Sequence, residues 1–102
     1  LNAHNISITG HKLDDEHYLN FLKQGDVFVT LSKGEGFSIQ PREAMALGYP
    51  VVISNNTAHQ TIVNTGLACG IQCPTSTPSY VTMLGYTCGE EYIPDIDEAA
   101  HM

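Results

Sequence analysis

The sequence predicts an α/β fold in which a parallel, doubly wound sheet carries flanking helices. Two observations carry this. The first half runs in the order strand, helix, strand, loop, helix, strand. Its two clearest strands, Val27-Phe28-Val29-Thr30-Leu31 and Val51-Val52-Ile53, are apolar almost without a break. Strands covered on both faces read this way, and parallel sheets bury both faces. A length of 102 residues holds one domain at most.

Each element follows from local chemistry. Asn5-Ile6-Ser7-Ile8-Thr9 alternates apolar and polar residues and is stopped by Gly10, which predicts a short strand. Asp14-Asp15-Glu16 places negative charge at a helix start, where the helix dipole favours it. Tyr18, Leu19 and Leu22 give that helix an apolar face, with Phe21 at its edge. Lys23 falls in its last turn, and Gly25 suits the position after it. Asp26 turns the chain into the run at residues 27–31, expected as a central strand. Pro41 suits a helix's first turn, residues 42–47 are strong helix formers, Gly48 ends that helix and Pro50 blocks its continuation.

The second half is less regular. Residues 57–63 predict a short helix ended by Asn64-Thr65-Gly66, and Gly70-Ile71-Gln72-Cys73 a short strand stopped by Pro74. Residues 75–79 are polar and contain Pro78, which predicts a surface loop. Pro94 and Asp95 open a final helix, with Glu98 at capping-box spacing from Asp95. That helix is only beginning when the chain ends, and the chain does not open on methionine. The expectation is a single partial domain over residues 1–102, part of a longer chain.

Composition excludes several function classes. Eleven acidic residues against four basic ones give a net charge of −7. The basic residues (Lys12, Lys23, Lys33, Arg42) all lie in the first half. Nucleic acid needs a row of phosphate-neutralising cations, and anionic lipid needs a basic patch; neither is present. No apolar run approaches the roughly 20 residues of a membrane span. Residues 1–8 lack the basic start and apolar stretch of a secretory leader. Three cysteines (Cys69, Cys73, Cys88) are an odd number, expected as reduced thiols of a cytoplasmic protein. Cys69-x3-Cys73 lacks the spacing of a zinc knuckle, and no metal is expected.

In open α/β sheets, ligands bind beyond the carboxyl ends of the strands. The loop at residues 32–40 sits there, holds Glu35 between Gly34 and Gly36, and feeds a helix carrying Glu43. Glycines let backbone N–H groups approach a ligand closely. The amides near Ile39 and Gln40 open a helix N-terminus, a ready phosphate site. Two carboxylates beside it would repel an anion but accept hydrogen bonds from sugar hydroxyls. The combination points to a ligand with both hydroxyls and phosphate. Spacing alone equally allows Glu35 as a solvated loop charge and Glu43 as a surface helix residue. Gly34-x-Gly36 lacks the third glycine of a dinucleotide fingerprint.

The stretch Glu35-Gly36-Phe37-Ser38-Ile39-Gln40-Pro41-Arg42-Glu43-Ala44-Met45-Ala46-Leu47-Gly48-Tyr49-Pro50-Val51-Val52 resembles the signature of glycosyltransferase family four, the glycosyl transferases group 1. Those enzymes have the GT-B fold, two Rossmann-like domains facing across a cleft. Their motif places two glutamates eight positions apart within Glu-Gly-Phe-Gly…Glu-Ala-Met-Ala-x-Gly-x-Pro-Val-Val, and Glu35 and Glu43 match them. The likeness covers roughly residues 5–74.

The resemblance implies the C-terminal, donor-binding domain of a retaining glycosyltransferase of polysaccharide or glycoconjugate biosynthesis. By it, Glu35 faces the transferred sugar as the catalytic carboxylate. The amides of Gly36, Phe37 and Ser38 contact that sugar, those of Ile39 and Gln40 the distal phosphate, and Glu43 holds the ribose hydroxyls. It further implies a nucleotide-diphosphate sugar as substrate and no resident cofactor or metal. The acceptor, a sugar, lipid or protein, would be bound mainly by an N-terminal domain, through which any peripheral membrane contact would also run.

Two departures stand out. Ser38 replaces the commoner glycine, and Thr57-Ala58-His59-Gln60-Thr61 stands where the family often has Gly-Gly-x-Pro-Glu. His59 is expected as a loop residue rather than a base, and Lys33 as a solvated lysine rather than a phosphate ligand. The competing readings are a degenerate, non-catalytic nucleotide-sugar-binding module and another GT-B enzyme such as an epimerase or phosphorylase.

Overall fold

A computed structural model describes residues 5–101. Residues 1–4, where the leader test began, and Met102 of the terminal helix pattern lie outside the described residues. The chain forms α1 (Asp15–Leu22), β1 (Phe28–Thr30), α2 (Ile39–Ala46), β2 (Val51–Ser54), α3 (His59–Val63) and β3 (Cys69–Ile71), then β4 (Thr75–Val81), β5 (Tyr86–Ile93) and α4 (Ile96–Ala100). β1, β2 and β3 make a parallel sheet in that order, with Phe28 opposite Val51 and Ile53 opposite Gly70. This is the expected α/β architecture, a Rossmann-like parallel sheet with flanking helices.

The helix ends behave as their chemistry dictates. Asp14 caps α1 by accepting the His17 N–H at 2.8 Å, and the His17 ring nitrogen lies 2.7 Å from the same oxygen. These bonds, the backbone one first, hold the Asp14 carboxyl below its ordinary value. Gly48, at φ 84, closes α2. Its N–H reaches the Met45 carbonyl at 2.9 Å and the Tyr49 N–H the Ala44 carbonyl at 3.0 Å, the paired bonds of a Schellman ending. α1 ends differently: Gln24 and Gly25 bond back three residues to Phe21 and Leu22, so the last turn tightens and Gly25 needs no left-handed conformation. Asp95 caps α4 through the Glu98 N–H at 3.0 Å. The Glu98 carboxylate reaches the Gln72 N–H at 3.2 Å, and the Asp95 N–H reaches the Gln72 carbonyl at 2.8 Å, tying α4 to the end of β3.

The core lies between α2, α3 and the sheet. Ala44, Val51, Ile53 and Ile62 are buried together, with Phe28, Met45, Tyr49, Val63 and Ala68 packed against them. Gly70 belongs to this contact. A Cβ there would sit 2.8 and 3.0 Å from the two γ-carbons of Val63, closer than carbon atoms approach, and Val63 is a stiff β-branched residue. Gly70→Ala is therefore expected to cost about 1–3 kcal/mol. Urea denaturation reads this, and Gly70→Ala should cost less in a Val63→Ala background than in wild type, because the clash is then relieved.

Three expectations are corrected. Residues 5–9 form no strand, and Ile6 and Ile8 are 50% and 71% exposed. Alternation supplies an apolar side, but a strand also needs a hydrogen-bonding edge, and no described strand runs beside this one. Among the described residues β1 lies at the edge of the sheet rather than at its centre, with Val29 55% exposed. An apolar run records what a strand tolerates on its faces, not its place in the sheet. Residues 75–79 are not a loop but the first part of β4, which pairs antiparallel with β5 from Thr75 opposite Ile93 to Val81 opposite Tyr86. Pro78 is accommodated next to a register shift between residues 78 and 80. No described helix is long and apolar enough to cross a membrane.

Candidate functional site

Two loops meet at the carboxyl ends of the parallel strands. One follows β1 and runs from Leu31 to the start of α2; the other follows β2 and leads into α3. Side chains that leave β2 bind them together. Ser54 is fully buried, and its hydroxyl donates to the Ser32 carbonyl at 2.6 Å. Asn56, also buried, donates through Nδ2 to the same carbonyl at 2.9 Å and, more weakly, to the Tyr92 carbonyl at 3.4 Å. The Tyr92 N–H donates to the Lys33 carbonyl at 2.9 Å, so the foot of the β4–β5 hairpin braces the same loop.

His59 links the loops from below. It is fully buried at the start of α3. Its Nδ1 lies 3.0 Å from the Ser54 carbonyl, which requires the proton there, so Nε2 accepts the Ser38 hydroxyl at 2.7 Å. Both ring nitrogens are thus engaged inside the protein. His59 is neither a loop residue nor placed to act as a base.

The sequence-derived site residues spread along this framework. Glu35 is half-buried, and its N–H donates to the Thr57 hydroxyl at 2.9 Å. Gly36 has ordinary φ, and a Cβ there would meet nothing within 4 Å. Phe37 is exposed beneath the Arg42 guanidinium, 4.1 Å from the ring centroid, and its carbonyl accepts Arg42 Nε at 3.3 Å. Ser38 is buried at φ 66 and occupies the N-cap of α2, but its hydroxyl serves His59 and does not cap the helix. No acidic residue lies in the first turn of α2, and Pro41 there has no N–H to offer. The exposed Ile39 and Gln40 thus begin a helix with no side-chain cap at its N-terminus among the described residues.

Glu43 lies a turn further on and faces away from the loop. It lines the groove between α1 and α2 with Tyr18, Leu22 and Leu47, and accepts the Tyr18 hydroxyl at 3.3 Å. Burial first, then the Glu43 charge and this bond, push the Tyr18 phenol up from its ordinary value. Glu35 has no part in that groove. The two carboxylates therefore do not share one pocket. Lys33 is exposed, 3.8 Å from Glu91, a surface pair worth about 0–1 kcal/mol. A polar cavity of about 420 Å³ opens beside the second loop, walled by Asn55, Thr57, Gln60 and Gln72 among others and by no charged group. No group of three His, Cys, Asp or Glu side chains that could hold a metal ion occurs among the described residues.

A three-stranded parallel sheet with its loops gathered at the strand ends and helices alongside defines a Rossmann-like domain. A family model for the glycosyl transferases group 1 matches residues 1–86, and the chain belongs to that family, as its C-terminal GT-B-like domain. It is a glycosyltransferase domain. No curated protein and no solved structure matches the chain significantly. The match ends at the first residue of β5, so most of that strand and α4 fall outside it.

Sequence reading missed Asn56, Thr57 and Tyr92. For Thr57 a signal existed. Among the described residues only Ser38 and Thr57 are non-glycine residues at positive φ. They stand where the family pattern has glycine: the last residue of Glu-Gly-Phe-Gly and the first of Gly-Gly-x-Pro-Glu. A hydroxyl residue in place of glycine at two such points marks backbone held in a glycine conformation by side-chain bonds.

Proposed function

We propose that this domain supplies the donor half-site of a retaining, nucleotide-sugar-dependent glycosyltransferase. The observation that carries the reading is the start of α2. It has no side-chain cap, no acidic residue in its first turn, and a glycine-flanked carboxylate immediately before it. In this reading the Ile39 and Gln40 amides take the distal phosphate of the donor. The amides of Gly36, Phe37 and Ser38 and the Glu35 carboxylate take hydroxyls of the transferred sugar. Glu43 takes the ribose hydroxyls, which share or displace the Tyr18 phenol.

Transfer breaks the bond between the sugar's anomeric carbon and the diphosphate oxygen. Negative charge grows on the leaving group while positive charge grows on the ring. Helix-start amides point at the first charge before it forms and so need no reorganisation as it develops. The carboxylate of Glu35 lies on the sugar side, where it holds hydroxyls and opposes the positive ring. The leaving charge is carried by amides, so no divalent cation is required. The acceptor's hydroxyl attacks from the face the diphosphate leaves, forming the new bond to the anomeric carbon and giving its proton to the departing diphosphate oxygen. Amide-walled space beside Thr57, without charge, suits a neutral hydroxylated group.

Gly36 tests the reading. A methyl added there meets no protein atom, so Gly36→Ala should leave stability unchanged or slightly raised. Where a ligand approaches the backbone it clashes, and affinity for a nucleotide sugar should fall about tenfold or more, as calorimetry in the full natural chain would read. Unchanged affinity would remove the loop from the donor site.

A further inference from the structure

We propose that Thr57 is a positioning residue for transfer, holding Glu35 and the amides after it in their reactive orientation; this rests on the donor-site reading above. The two positive-φ residues, Ser38 at φ 66 and Thr57 at φ 42, lie on the two loops of the site; Ser38 sends its hydroxyl to the start of α3, and Thr57 sends its hydroxyl to the loop after β1. Ser38 Oγ reaches His59 Nε2 at 2.7 Å, and Thr57 Oγ1 accepts the Glu35 N–H at 2.9 Å. The result is a clasp closed from both sides.

Thr57 is the costlier half. A β-branched residue at positive φ is strained by about 1–3 kcal/mol, and such strain persists only where the surroundings over-determine it. Packing does not explain it, because Thr57 is exposed. Hydrogen bonding does. The Thr57 hydroxyl donates to Asn56 Oδ1 at 3.0 Å, which fixes its hydrogen and leaves a lone pair for the Glu35 N–H. Asn56 is itself buried and locked to the Ser32 carbonyl at 2.9 Å. A path of three bonds thus runs from the Ser32 carbonyl, which buried Ser54 of β2 also holds at 2.6 Å, to the peptide that orients Glu35. Glycines lie on both sides of that residue, and neither supplies local stiffness. Groups that stabilise developing charge act through prior fixation, and a loosened loop loses rate before it loses ground-state binding.

The test compares Thr57→Ala, which removes the hydroxyl, with Thr57→Ser, which keeps it, in the full natural chain. Amide hydrogen exchange reads the clasp itself, independent of activity. Protection across residues 35–38 should fall about tenfold in Thr57→Ala and be kept in Thr57→Ser. Transfer kinetics read the consequence: kcat should fall about tenfold in Thr57→Ala, with nucleoside diphosphate affinity near wild type, and Thr57→Ser should restore it. Unchanged protection in Thr57→Ala would overturn the clasp. Lost protection with unchanged kcat, or nucleoside diphosphate affinity falling in step with kcat, would overturn the positioning role. A wild-type chain that neither binds nucleoside diphosphate nor transfers sugar would overturn the donor-site reading, and the positioning role with it, while the exchange result still reports on the clasp.

Discussion

Replacing His59 with alanine is expected to cost about 3–5 kcal/mol, enough to unfold a domain of ordinary stability. Three losses combine. The imidazole is fully buried, so its removal leaves a cavity beneath both loops. The Ser54 carbonyl loses a donor at 3.0 Å. The Ser38 hydroxyl loses its acceptor at 2.7 Å and stays buried without a partner, at about 1–3 kcal/mol for such a group. His59→Leu restores most of the volume but neither bond, so it should recover only part of the loss. Ser38→Ala in the His59→Ala background should cost less than in wild type, because the bond it removes is already gone, a coupling of about 0.5–3 kcal/mol. Denaturant titration of the four chains reads this. Additive costs would mean that the Ser38–His59 bond carries nothing.

Exchanging Glu35 for glutamine is expected to lower kcat about 100-fold or more while leaving the fold intact. Among the described residues the carboxylate makes no hydrogen bond that would be lost, since the bond at this position runs from the backbone N–H to Thr57. The amide keeps the shape but loses the charge that opposes a positive sugar ring and half of the accepting capacity for its hydroxyls. Nucleoside diphosphate affinity should be nearly unchanged, because the proposed site gives the phosphate to Ile39 and Gln40 and the ribose to Glu43 rather than to Glu35. Single-turnover transfer set beside diphosphate binding separates the two. Equal losses in both would place Glu35 on the nucleotide rather than the sugar.

How far the sequence reached depends on the range of the forces involved. α2 was legible to within a few residues, because Pro41, the helix formers after it and Gly48 act within one or two turns, and the Schellman bonds at Gly48 and Tyr49 follow from local geometry. Asp14 and Asp95 were legible as helix-start residues for the same reason. The β4–β5 hairpin was not. Its strands are exposed along most of their length, so no buried alternation marks them, and Pro78 reads as a break unless one knows that its partner strand shifts register beside it. Gly85, at φ 72 after the turn at Val81, was the one local sign of a reversal. The strand expected at residues 5–9 failed for the opposite reason: its pattern was right, but pairing is decided by a neighbour that pattern does not encode.

The site divides the same way. Residues of the loop and of α2 were readable one by one from the Glu35–Glu43 segment. What joins them was not, because Asn56, Thr57, His59 and Tyr92 act through bonds between residues 21 to 36 positions or more apart. His59 illustrates this. In sequence it is a histidine in a polar stretch; in the fold it is the buried bridge between two serines.

The central claim, that the open start of α2 with Glu43 beside it is a nucleotide-sugar donor site, is tested most directly by a thermal-shift panel. Nucleoside diphosphates and nucleotide sugars would be titrated onto the full natural chain, with Glu43→Ala run alongside. One nucleotide class is expected to raise the melting temperature of the wild type. The shift should be lost or much reduced in Glu43→Ala, whose missing hydrogen-bonding carboxylate corresponds to about 1–3 kcal/mol of binding. A folded chain that no nucleotide stabilises, or one stabilised equally with and without Glu43, would contradict it.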